Sequence, residues 1–136
     1  MSDGLPLPRR LFAIGALGCG SALVIIDGGI ANVALPTIAR DLGVASSAVV
    51  SIVTVYQVTL VMLLLPFSGM AERIGLKRTY QGGQIIFTLS TLLCFFAESF
   101  PFLLIVRTMQ AIGAAGVLSV SSALIRHTYP ARRLGR

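Results

Sequence analysis

Charge is what this sequence has least of. Asp, Glu, Lys and Arg make up 12% of its 136 residues, against about a quarter in a soluble domain. Hydrophobic residues reach 55%, and the mean hydropathy is +0.88. That shortage excludes a water-soluble globular domain. Cysteine and histidine are scarce too. Cys19 and Cys94 fall ~12 Å and ~22 Å above the inner membrane boundary at 1.5 Å per residue, too far apart in depth for a disulfide. Both read as thiols packed among helices. His127 is the lone histidine and has no partners at metal-ligand spacing, so no metal, cofactor or enzymatic centre is expected. The formal net charge of +6 raises nucleic acid as a partner. A nucleic-acid binder gathers its basic residues on one accessible face, however, whereas here they flank apolar runs. No nucleic acid is expected.

What the chain does have is four apolar runs, at about 11–35, 48–66, 79–97 and 102–125. Each is near the ~20 residues that cross ~30 Å of hydrocarbon as a helix. The first is expected to stop at Pro36, and Ser46 or Ser47 to cap the second. Pro101 suits the opening turn of the fourth, where a missing N–H costs least. The fold class is therefore all-α and integral to the membrane: four transmembrane helices over residues 11–126, between short segments at 1–10 and 127–136. Connectors at 37–47, 68–78 and 98–101 leave no room for a soluble domain.

Orientation follows from the basic residues. Arg9, Arg10, Arg73, Lys77, Arg78, Arg126, Arg132, Arg133 and Arg136 share one side; Arg40 takes the other, and Arg107 lies within a run. Positive segments stay in the cytoplasm, so both termini are expected there, in a multi-pass protein of the cell membrane. Arg9-Arg10-Leu11-Phe12 weakly resembles a twin-arginine export signal, and Leu17-Gly18-Cys19 a lipoprotein cleavage site. Either would precede a soluble mature domain. Three more apolar runs follow instead.

Ionisable residues inside the runs are the functional candidates. A carboxylate at mid-helix costs about 2.5–3.5 kcal/mol on insertion scales, so Asp27 must face protein or a water-filled cavity. Arg107 is under the same constraint. Asp27 lies ~24 Å from the inner face and Arg107 ~22 Å, counted at 1.5 Å per residue. At matching height they can interact. Two readings stay open: a static buried ion pair, or an Asp27 that takes and releases a proton while Arg107 modulates it.

Other polar groups suggest a cavity or polar packing. Gln110 shares a helix face with Arg107. Tyr56 and Gln57 lie in the second run. Asn32 sits about 140° round the helix from Asp27 and need not share its cavity. Ala111, Ala115, Ser119 and Ala123 form a small-residue stripe for close helix packing, with Gly15, Gly18 and Gly20 as similar contacts on the first run. Gly28-Gly29 could loosen the helix beside Asp27.

Three motifs resemble a known family. Ser68-Gly69-Met70-Ala71-Glu72-Arg73-Ile74-Gly75-Leu76-Lys77 is similar to the major facilitator superfamily signature Gly-x-Leu-Ala-Asp-Arg-x-Gly-Arg-Lys, which lies between the second and third spans. Ser68 stands for the first Gly, Met70 for Leu and Glu72 for Asp, and Leu76 replaces a basic residue; Ala71, Arg73, Gly75 and Lys77 match. Arg107-Thr108-Met109-Gln110-Ala111-Ile112-Gly113-Ala114-Ala115 resembles the fourth-span signature Arg-x-x-Gln-Gly-x-Gly-Ala-Ala. The stretch from Asp27 to Ala31-Asn32-Val33-Ala34-Leu35-Pro36 resembles the first-span signature of the fourteen-span drug–proton antiporters, with Gly29 for the usual Thr. The resemblance covers nearly the whole chain. It implies the N-terminal part of a major-facilitator-type bundle that exports amphipathic small molecules against protons. Glu72, Arg73 and Lys77, with Ser68, Gly75 and Arg78 around them, would form a cytoplasmic gating loop. Asp27 and Arg107 would couple to protons.

Members of that family carry twelve or fourteen spans, so four are expected to be a fragment that does not transport alone. Two rivals remain. A complete four-span dimeric exporter of the small multidrug resistance type would lack the charged loop between the second and third spans. A non-transporting remnant would pair with another transporter's helices.

Overall fold

The computed structural model describes residues 6–128. Four helices follow one another: α1 (Leu7–Leu42), α2 (Ser46–Ile74), α3 (Leu76–Phe95) and α4 (Phe100–Thr128). Segments within α1 (Leu7–Ile30) and α4 (Phe100–Ser121), and the whole of α2, are long and apolar enough to cross a membrane. α3 does not meet that measure. Its 20 residues are long enough, but Lys77, Arg78, Gln81 and Gln84 dilute its apolar character. The expected segment beyond residue 128 and the side chains of Arg126 and His127 lie outside the described residues.

The helices are longer, and the first two connectors shorter, than the apolar runs suggest. α1 does not stop at Pro36 but runs through it to Leu42. A proline ring removes one helical hydrogen bond, which a long membrane helix tolerates. The real terminator is Gly43, at φ 65°. There the left-handed conformation, cheap only for glycine, lets the Gly43 and Val44 N–H groups bond back to Arg40 and Ala39. Only Gly43–Ala45 then separate α1 from α2. Ser46 and Ser47 consequently fall inside the first turn of α2, and neither is the cap: that position is Ala45, with no side-chain cap bond. α2 likewise passes through Pro66 and ends at Ile74. The expected 68–78 loop is therefore two helix ends hinged on Gly75, whose φ of 112° suits glycine alone. Gly28-Gly29 does not interrupt α1. Phe96–Ser99 joins α3 to α4, and Pro101 does lie in the opening turn of α4.

α4 is the centre of the bundle. Ala111, Ala114, Ala115, Val117 and Val120 are all fully buried. One apolar cluster joins Val24, Tyr56 and Phe87 to Ala111, Ala114 and Val117; a second joins Leu35, Ile52 and Leu103. The small-residue stripe is buried at Ala111 and Ala115 and half-buried at Ser119 and Ala123. The tightest backbone-to-backbone approach belongs to Gly83 and Gly113, on α3 and α4. A Cβ on Gly113 would lie 2.5 Å from the Phe87 nitrogen, and one on Gly83 2.8 Å from the Gly113 oxygen. On α1, Gly15 and Gly18 face open space, whereas Gly20 meets Tyr80 and Gln84 of α3. The two thiols are not alike. Cys94 is half-buried, but Cys19 is exposed, because α1 lies at the edge of the bundle and that face has no neighbour.

Candidate functional site

Asp27 occupies the middle of α1, and Arg107 the third turn of α4. The two meet: Arg107 Nη1 lies 3.2 Å from Asp27 Oδ2. Gln110, one turn beyond Arg107, ties the pair together. Its Oε1 accepts from Arg107 Nη1 at 2.5 Å. Its Nε2 donates to Asp27 Oδ2 at 2.8 Å and to Thr91 Oγ1 at 2.9 Å. The Arg107 guanidinium rests over the Tyr56 ring, 4.8 Å from its centroid. Cys94 Sγ approaches Gln110 Oε1 at 3.9 Å. All four helices thus contribute one group or more to a single knot.

Electrostatics explains the knot's composition. A charge without a partner is expensive in hydrocarbon, so the cation needs the carboxylate and both need hydrogen bonds. The Arg107 side chain is 8% exposed and that of Asp27 24%. Arg107 is therefore shut in, while Asp27 keeps an opening. That opening is a cavity of ≈290 Å³ between α1 and α3, lined by Asp27, Gln84, Thr88 and Thr91 among apolar walls.

Of the other expected residues, Tyr56 and Gln110 join Asp27 and Arg107 directly. Asn32 and Gln57 are exposed and do not. Ser68, Glu72, Arg73, Lys77 and Arg78 are exposed around Gly75, on helix ends and far along the chain from the knot. Thr91 and Cys94 are the participants that sequence reading missed. For Thr91 a signal existed: Tyr80, Gln84, Thr88 and Thr91 recur every three or four residues, a polar stripe on an apolar helix.

Residues 17–136 match the family profile of the Major Facilitator Superfamily. Uncharacterized transporter YebQ of Escherichia coli (strain K12) is 44% identical over 99% of this chain and 30% of its own length. Riboflavin transporter RibZ of Clostridioides difficile (strain 630) is 30% identical over 86% of this chain and 26% of its own length. Drug efflux pump JefA of Mycobacterium tuberculosis (strain CDC 1551 / Oshkosh) is 28% identical over 93% of this chain and 25% of its own length. The chain spans less than a third of each of these relatives. No solved structure matches it. With the profile covering all but its first residues, the chain belongs to the major facilitator superfamily and is a multi-pass membrane protein.

Proposed function

We propose that this chain supplies the proton-coupling portion of a secondary transporter of the multidrug efflux type. The observation that carries the reading is the mid-membrane knot of Asp27, Arg107 and Gln110, in which a carboxylate touches a buried cation on one side and an open cleft on the other. Motion of α1 relative to α4 would move Asp27 between these two surroundings. Proton uptake and release by Asp27 would accompany that motion. In this reading α1 to α4 all span the bilayer and both termini are cytoplasmic. Gly75 is then the pivot of an inner gate, with Glu72, Arg73 and Lys77 available to latch a helix of an opposing half.

An amphipathic small molecule would be moved only when further helices complete the cavity. The greater length of the matched relatives, one of them named as a drug efflux pump, supports this. Efflux of a lipophilic dye from right-side-out vesicles diluted into acidic medium tests the reading. This chain alone should give none, and co-expression with the remaining helices of YebQ should restore efflux that Asp27→Asn abolishes. Asp27-dependent efflux by the chain alone would overturn the need for further helices. Restored efflux indifferent to Asp27→Asn would overturn proton coupling.

A further inference from the structure

Gln110 is buried, and its amide is the group in the knot that has a direction to choose. Its oxygen and nitrogen ends have nearly the same shape, so packing alone does not say which faces which neighbour. The neighbours do. Arg107 Nη1 can only donate, and Gln110 Oε1 accepts from it. The Asp27 carboxylate accepts from Gln110 Nε2 at 2.8 Å. Thr91 completes the set from α3. Its single hydroxyl proton is already given to the Phe87 carbonyl at 2.8 Å. Toward Gln110 it can therefore only accept, and it does so from Nε2 at 2.9 Å. One turn on, Cys94 Sγ donates toward Oε1 from 3.9 Å. Both amide protons and both oxygen lone pairs are thereby used. Reversed, the amide would set its oxygen against the Asp27 carboxylate and the Thr91 oxygen, and its N–H groups against the guanidinium.

We propose that Thr91 is a positioning residue of the coupling site. It holds the Gln110 amide in the one sense that joins Arg107 to a carboxylate, so that α3 and α4 form a ready seat which Asp27 of α1 can leave and re-enter. The inference rests on Asp27 as the group that moves. α3 and α4 are poorly able to part or slide, since a Cβ on Gly113 would meet the Phe87 nitrogen at 2.5 Å and the Gly83 oxygen at 2.7 Å. α1 is held less closely: Ile25, Ile26 and Ile30 around Asp27 are exposed at the edge of the bundle. When Asp27 withdraws, Gln110 Oε1 and the Tyr56 ring still face the cation. Thr91 still holds one amide proton. Arg107 Nη1 and Gln110 Nε2 therefore stay aimed at the vacated place, where a returning carboxylate meets two donors. Groups fixed beforehand bind without the cost of being ordered. Thr91 acts through Gln110 and not on the charges themselves.

Turnover is not needed to test it. In the full chain with Asp27→Ala, formate stands in for the missing carboxylate, and thermal unfolding in detergent is followed as formate replaces chloride at constant ionic strength. Formate should stabilise this variant in a saturable way. Adding Thr91→Val should raise the half-saturating formate concentration about fivefold or more, the loss expected of one hydrogen bond. Thr91→Ser in its place should keep that concentration within about twofold. Thr91 is exposed on the cleft, so the valine disturbs little packing. The same half-saturation with valine, or an equal loss with serine, would overturn the role of Thr91. No formate-specific stabilisation would overturn the seat. Where Asp27→Ala does not insert, hydrogen exchange of the isotopically labelled Gln110 side-chain amide in the chain with Asp27 intact decides. Thr91→Val should speed that exchange about tenfold and Thr91→Ser several times less; exchange unchanged by valine would overturn the inference. Dye efflux indifferent to Asp27→Asn would instead remove proton coupling and leave these readouts standing.

Discussion

At the residue scale, Gln110 decides what Asp27 and Arg107 become. Without it the two charges would meet through one 3.2 Å contact; with it the carboxylate gains a second donor and α3 is drawn in through Thr91. Removing one partner of a buried pair leaves an uncompensated charge, typically costing about 3–5 kcal/mol. Arg107→Met should therefore destabilise the chain strongly, and adding Asp27→Asn should recover most of the loss. Unfolding in detergent, analysed as a double-mutant cycle, should show a coupling above ~1 kcal/mol. A coupling near zero would mean that the two residues act independently. The equal depth of Asp27 and Arg107 was legible in the sequence, because rise per residue is fixed. That Tyr56 and Gln110 join them while Asn32 and Gln57 do not was only half legible. Depth says nothing of which way each helix is rotated.

At the element scale, glycine does two opposite jobs. Gly43 and Gly75 end helices through positive φ. Gly83 and Gly113 instead let α3 and α4 touch backbone to backbone, where a Cβ on Gly113 would find the Phe87 nitrogen at 2.5 Å and the Gly83 oxygen at 2.7 Å. These are main-chain atoms, which yield only if a whole helix shifts. Gly113→Ala should therefore lower thermal stability in detergent, by about 1–3 kcal/mol. Gly82→Ala, with nothing within 4 Å, should gain up to ~1 kcal/mol from helix propensity. The reverse order of the two variants would show that α3 and α4 do not pack as described. Helix boundaries were the least legible part of the sequence. Apolar runs mark where a helix contacts lipid, whereas a helix continues into water for as long as its backbone can bond. Hence Pro36 and Pro66 lie inside helices, and the charged 68–78 stretch is mostly helical.

At the scale of the whole molecule, large apolar side chains cover much of the outer surface. Phe12, Val33, Leu65 and Phe95 are each at least 80% exposed, a face that lipid or further helices can cover and water cannot. Topology at this scale is testable with reporters. A fluorescent protein fused after Arg136 should fold and fluoresce, and a periplasmic phosphatase at that site should be inactive. The same phosphatase inserted within Phe96–Ser99 should be active. An active phosphatase after Arg136 would reverse the orientation assigned from the basic residues. Composition alone determined that the chain lives in a membrane, since too few charges remain to dissolve it. Motif order alone pointed to the superfamily, since those signatures are local in the chain. Tertiary structure decided the rest: that α4 is the hub, that one glutamine joins three helices, and that α1 and α3 leave an open cleft beside Asp27. Those facts depend on helix rotation and on glycine-limited approach, which arise only when helices pack against one another.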